Sequence, residues 1–209
     1  MIETMGQASL FDPDGWCQRW EQRTPSWRHV SEGGFRASAY TVVELPHRPA
    51  LDFVTRHHYS GAFSSAVLRY GLVERAGGRL VGVCVFGNGM TPAVLTNPFP
   101  RLAPHREALE LSRLVLLDEV PANAESWFVA QTFARAALVG LRGVVMYSDP
   151  NERVTPAGAI MTGHLGIVYQ ALGLRRVAGK YRYIGACGTR AQRRAPLAGV
   201  DLPALPYPK

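Results

Sequence analysis

Cysteine is scarce: three stand among 209 residues, at Cys17, Cys84 and Cys187. They are far apart and odd in number, which excludes a disulfide framework, and no Cys-x-x-Cys pair offers a metal site. No apolar run approaches the roughly 20 residues that span a bilayer. The first residues, with Glu3 and Asp12 and no apolar core, do not read as a signal peptide. A cytoplasmic protein with no membrane partner is expected. No internal repeat is present. Acidic residues are outnumbered 16 to 23 by Lys and Arg, a formal charge of +7, so contact with polyanions is favoured through counterion release.

What is present is a folded chain, 47% hydrophobic and 19% charged, long enough for one domain with a substantial core. Residues 1–35 read as an irregular N-terminal arm, 36–185 as the domain and 186–209 as a basic, Pro-rich tail. The arm holds Trp16, Trp20 and Trp27 among Arg19, Arg23 and Arg28. These either anchor it by burial or form a stacking and phosphate-contact surface. Ala39 to Leu45 reads as a strand, and Pro49 as the first residue of a helix running towards His57. Val67 to Arg75 and Arg79 to Phe86 form a hairpin about Ala76, Gly77 and Gly78. Met90 to Pro104, with four prolines, reads as a long ordered loop. A strand at 109–117, a helix at 124–138 with Trp127, Phe128, Phe133 and Leu138 inward, and a strand at 144–147 follow. Residues 151–162 look like an inserted loop, 163–174 like a short helix and 181–184 like a last strand.

Three places carry chemistry. The turn from Pro121 to Ser126 leads from strand to helix, and a helix start offers unpaired N–H groups and partial positive charge to an anion. Asn123 is the expected N-cap, with Ala124, Glu125 and Ser126 as first turn. The same residues also suit an ordinary capped helix. His58, Tyr59 and Ser60 form a polar cluster before Gly61, offering a base and a phenol or a structural loop. Asp149 follows a short apolar strand, at the end where open α/β sheets place ligands.

The order of elements resembles the GNAT N-acetyltransferase fold: α/β, with a mixed central sheet flanked by helices. In that family the fourth strand and following helix hold the pyrophosphate of an acyl-coenzyme A donor. Here the turn Pro121-Ala122-Asn123-Ala124-Glu125-Ser126 lacks the glycines of that loop, and Glu125 would repel a phosphate. The motifs His58-Tyr59-Ser60, Gly82-Val83-x-Val85-Phe86-Gly87, Glu110-Leu111-Ser112-Arg113-Leu114, Asn123-x-Glu125-Ser126, Ser148-Asp149-Pro150 and Gly163-His164-x-Gly166-x-x-Tyr169-Gln170, in this order over about residues 50–185, are similar to those of the phage Mom family of DNA-modification proteins.

That resemblance implies a transferase adding a small acyl-derived group, carbamoylmethyl or acetamido-like, to adenine N6 in DNA, protecting phage DNA from restriction inside a bacterial host. It implies that Arg113, Ser112, Asn123, Ala124 and Ser126 lie by an acyl-coenzyme A or related donor, and that Asp149, Tyr169, Tyr59 and His58 line the catalytic cleft. Asp149 is the expected base, and Tyr169 either donates to a leaving group or packs on the sheet. Imidazole, carboxylate and phenolate at His58, Asp149 and Tyr59 also suit iron. The expected partners are double-stranded DNA, with the target base flipped out, and a second copy of the chain in a homodimer. Arg101, Arg106, Arg153, Lys180, Arg190, Arg193 and Arg194 are the groups expected along the DNA backbone. An ordinary acyl-coenzyme A-dependent N-acetyltransferase for a small amine or protein, and an inactive DNA-binding protein on the same fold, are the alternatives.

Overall fold

The computed structural model describes residues 16–149, 151, 153–154, 160–161, 166–177 and 182–187. Residues 1–15, His164, Lys180, Arg190, Arg193, Arg194 and the tail lie outside them, as does the side chain of Arg153.

The expected irregular arm is, from Trp16 onward, a hairpin of β1 (Trp16–Glu21) and β2 (Thr24–His29), turning at Gln22 and Arg23, both at positive φ. No glycine or asparagine marks that turn, and the usual period-2 alternation is missing because the successive residues Arg19 and Trp20 are both buried. Trp20 packs its ring 5.3 Å from that of Tyr59. The neighbouring Arg19, fully buried, donates to the carbonyls of Val120 and Pro121 and pairs with the buried carboxylate of Glu125. An arginine thus occupies a core position, which a hydrophobic-pattern reading takes for surface.

Then come β3 (Tyr40–Glu44) and α1 (His47–His57). Pro46, not Pro49, stands at the helix start; Pro49 falls in the first turn, where its missing N–H costs nothing. β4 (Leu68–Glu74) and β5 (Leu80–Gly87) form the expected hairpin. The expected long loop contains α2 (Pro92–Thr96), which with the residues after it tucks Leu95, Phe99 and Leu102 against the sheet. Five residues are too few for helical periodicity to show.

β6 (Ala108–Leu116), α3 (Ala124–Leu138) and β7 (Gly143–Tyr147) follow within a residue of expectation. Phe128 and Phe133 are fully buried, but Leu138 is 87% exposed, because it lies in the last turn, where α3 runs past the sheet. A short ladder of β8 (Arg153–Val154) and β9 (Ile160–Met161) occupies the insertion. The helix expected at 163–174 is seen as α4 (Ile167–Ala171), and β10 (Arg175–Arg176) pairs with β11 (Arg182–Ala186).

The seven-stranded sheet runs β10-β11-β7-β6-β5-β4-β3, antiparallel except for the parallel pair β6–β7. The mixed sheet flanked by helices is as expected. Alternate residues divide between its faces. Tyr70, Cys84, Phe86 and Tyr183 face α3 and α4; Ala108, Val145 and Ile184 join Leu95, Phe99 and Leu102 on the α2 side. Removing one partner of a buried ion pair strands the other charge, a loss of about 3–5 kcal/mol. Arg19→Ala is therefore expected to lower unfolding free energy by that order in urea titrations. The double variant Arg19→Met/Glu125→Leu should lose far less; equal losses in both would show that the pair itself is not what holds the hairpin.

Candidate functional site

The parallel ladder between β6 and β7 ends early. It pairs Ala108 with Gly143, Leu109 with Val144 and Glu110 with Val145, although β6 continues to Leu116. β7, by contrast, is paired with β11 along all five of its residues. Past Glu110 the strands therefore part, and backbone that would have closed a ladder faces an opening through the sheet. A bulge sits at the same point: Val85 pairs with Arg113 and Phe86 with Leu111, leaving Ser112 as the extra residue. The Ser112 hydroxyl accepts from Ser64 Oγ at 2.7 Å and donates to the Val85 carbonyl at 3.3 Å.

The 58–66 loop lies along the β6 lip. Arg113 donates from Nε to the Ala62 carbonyl at 3.0 Å and from Nη1 to its neighbour's carbonyl, that of Ser112, at 2.6 Å. Gly87 lets the loop cross, since a Cβ there would lie 2.0 Å from the Ser65 carbonyl oxygen. Arg113 and Ser112, expected beside a donor, are thus the residues that fasten this loop. At the loop's start His58 is buried, its Nδ1 accepting from the Ser60 amide at 3.2 Å and meeting Ser60 Oγ at 2.9 Å. Its ring centroid is 4.2 Å from that of Tyr59.

On the α3 side the opening is floored by Tyr169, from α4, whose ring stands edge-on to Tyr183 at 5.3 Å. Gly166 sits at φ +69, and a Cβ there would lie 2.7 Å from both tyrosine rings, so only glycine admits this arrangement. Burial pushes the Tyr169 phenol well above its ordinary range, with smaller contributions from Cys84, Tyr183 and Tyr59. His58, Tyr59 and Tyr169 are therefore neighbours, and Tyr169 is a buried phenol that keeps its proton. Asp149 stands at the other lip, beyond the end of β7, where its Oδ1 accepts from the Asn151 amide at 3.1 Å. The adjacent Ser148 is buried, and its hydroxyl has no partner.

The helix start differs from expectation. Asn123 is at φ +69 and its side chain makes no cap; its amide donates to Cys17 Sγ at 3.5 Å, and Ser126 Oγ donates back to the Asn123 carbonyl at 3.3 Å. Glu125, expected to face an anion, is turned into the Arg19 pair. The β1 strand thus covers the turn where a pyrophosphate would sit, and a carboxylate lies in the first helical turn. These residues do not fit a pyrophosphate at that helix start. For iron, the described residues contain no group of three or more His, Cys, Asp or Glu placed to hold a metal.

A second cluster lies on the opposite, α2 side of the same opening. Glu110, Tyr147 and Arg182 share that face through the pairs Glu110 with Val145 and Arg182 with Tyr147. Arg182 hydrogen-bonds the Tyr147 hydroxyl, while its Nε is buried without a partner. Burial raises the Glu110 carboxyl above the usual range, Arg113 only partly opposing. The sequence signal for it was a charge inside the apolar run Leu109-Glu110-Leu111 and another opening β11. Of the basic residues expected along DNA, Arg101 and Arg106 lie in the described surface between α2 and β6. A raised carboxyl is stabilising at low pH and loses that contribution as pH rises through its folded value. Glu110→Gln is therefore expected to match the parent's melting temperature near pH 4 and exceed it at pH 7.5; a less stable variant at neutral pH would contradict this.

Among solved structures the chain is similar to a cAMP-binding acyltransferase from Mycobacterium smegmatis, at 10% identity and a TM-score of 0.41, covering 89% of this chain and 52% of that one. It thus spans about half the length of that protein. It is also similar to a GNAT family N-acetyltransferase from Escherichia coli in complex with CoA, at 11% identity and a TM-score of 0.40, covering 77% of this chain and 88% of that one. No curated protein matches the sequence. The sequence pattern of the Mom protein family matches residues 39–175, from the start of the sheet through β10 and including the parting strands, the 58–66 loop, Asp149 and Tyr169. The chain belongs to the Mom protein family.

Proposed function

We propose that this chain transfers a small acyl-derived group, carbamoylmethyl or acetamido-like, to the N6 amine of adenine in DNA, protecting phage DNA from restriction. The observation that carries this reading is the opening between β6 and β7 in a Mom-family chain, with Asp149 following β7 at one lip, the loop of Tyr59 along the other and Tyr169 on the α3 side.

Adenine N6 is a poor nucleophile because its lone pair is delocalised into the ring, so a positioned proton acceptor is needed. Asp149 takes the N6 proton as the new N6–carbon bond forms, its carboxylate oriented by the Asn151 amide. Tyr169, held protonated by burial, donates to the group that leaves the donor carbon. His58 and Tyr59 close the cleft against Trp20 and exclude water. The donor is an activated acyl derivative seated in the parted strands, its binding independent of a pyrophosphate at the start of α3. The target base leaves the stack before reaction, at a cost of about a few kcal/mol, and the net charge of +7 favours the DNA backbone.

Nucleoside mass spectrometry of DNA from cells producing the protein is expected to show a mass-shifted deoxyadenosine. Asp149→Asn and Tyr169→Phe should each lower its yield by about 10²-fold or more while circular dichroism stays that of the parent. Unmodified nucleosides with abundant soluble parent protein would overturn the reaction, and full yield from both variants would overturn the assigned roles.

A further inference from the structure

The Glu110, Tyr147 and Arg182 cluster is not used by the chemistry above, yet it borders the same opening from the other face of the sheet. Its three side chains come from three adjacent strands. Tyr147 is 43% exposed at the end of β7, although it follows four buried residues, so a flat aromatic surface is offered to solvent where the strands part. Arg182, on the neighbouring strand, fixes the phenol by a hydrogen bond and keeps a buried Nε with no acceptor. A buried guanidinium N–H without a partner is destabilising, and a ligand acceptor would relieve it. Glu110 stands at the last β6–β7 pair, half-buried, a carboxylate acceptor on the strand at the other side of Tyr147, whose phenol feels its charge.

A stacking surface with one donor and one acceptor at its edge is the chemistry that holds a nucleobase: ring over ring, ring nitrogen to Arg, exocyclic amine to Glu. A carbonyl at the amine's position would instead face the carboxylate, two acceptors opposed. We propose that Tyr147, Arg182 and Glu110 form the subsite for the extruded base, Tyr147 stacking on its ring, Arg182 donating to a ring nitrogen and Glu110 accepting from the exocyclic amine. This rests on the reading that an amino base is the acceptor substrate, and it assigns the two sides of the sheet different tasks. The base enters from the α2 face, the buried tyrosines serve the α3 face, and the two meet only where β6 and β7 part. Glu110 and Arg182 thereby select adenine and cytosine, which present an amine beside an unprotonated ring nitrogen, over guanine and thymine, which present a carbonyl beside a ring N–H in the same orientation.

The test uses the full chain and dye-labelled single strands of deoxythymidine carrying one central dA, dC, dG, dT or abasic analogue, read by fluorescence anisotropy without any donor. The parent is expected to bind the central dA and dC strands about tenfold more tightly than the dG, dT and abasic strands. Glu110→Gln should bring the four bases within about twofold of one another, and Tyr147→Ala, at an exposed position that leaves folding intact, should bring the dA strand to the abasic value. Equal parent affinity for all five strands, or an undiminished preference in both variants, overturns the subsite. The outcomes separate from those of the reaction: a base preference without modified nucleosides sinks the transfer chemistry and keeps the subsite, whereas modified DNA without a base preference sinks the subsite alone.

Discussion

β7 has two neighbours and follows only one of them. Its five residues pair with β11 throughout, while its ladder with β6 stops after three. The bulge at Ser112 bends β6 away at that same level, and the loop fastened by Arg113 and Ser64 fills in along its lip. An opening through a sheet is costly unless the freed backbone finds partners. Among the described residues, Glu110, Tyr147 and Arg182 lie on one face at this point of the sheet, and Tyr169 lies on the other.

The N-terminal hairpin decides what the opening does not do. In β1, Arg19 reaches under the turn before α3 and takes Glu125, Val120 and Pro121 as partners, while Cys17 receives the Asn123 amide. The positive end of α3 is thereby spent inside the protein. A chain of acetyltransferase-like order is left with the parted strands but without the phosphate cradle.

Much of the strand and helix order was legible because β3 to β7 and α3 carry ordinary signals: alternating or continuous β-branched runs, a Gly-Gly turn, and a helix with Phe128 and Phe133 on one side. The hairpin, α2 and β10 were not. Arg19 broke the hydrophobic pattern, α2 and β10 were too short to show a period, and Leu138 looked inward only because the end of the sheet is invisible in a sequence. Among the candidate site residues, His58, Tyr59, Asp149 and Tyr169 are legible only through motif order. Glu110 and Arg182 were visible only as charges in apolar strands, with nothing to say that they share a face.

What the sequence by itself determined is the family, the elements and the residue types available for chemistry, since these depend on local propensity and spacing. The tertiary structure decided which of them meet. Whether Glu125 faces an anion or an arginine 106 residues away, and whether Glu110 stands beside Tyr147 or alone, depends on strand register and on which neighbour β7 follows. Those are properties of pairings between distant segments, where a shift of one residue sends every side chain to the other face.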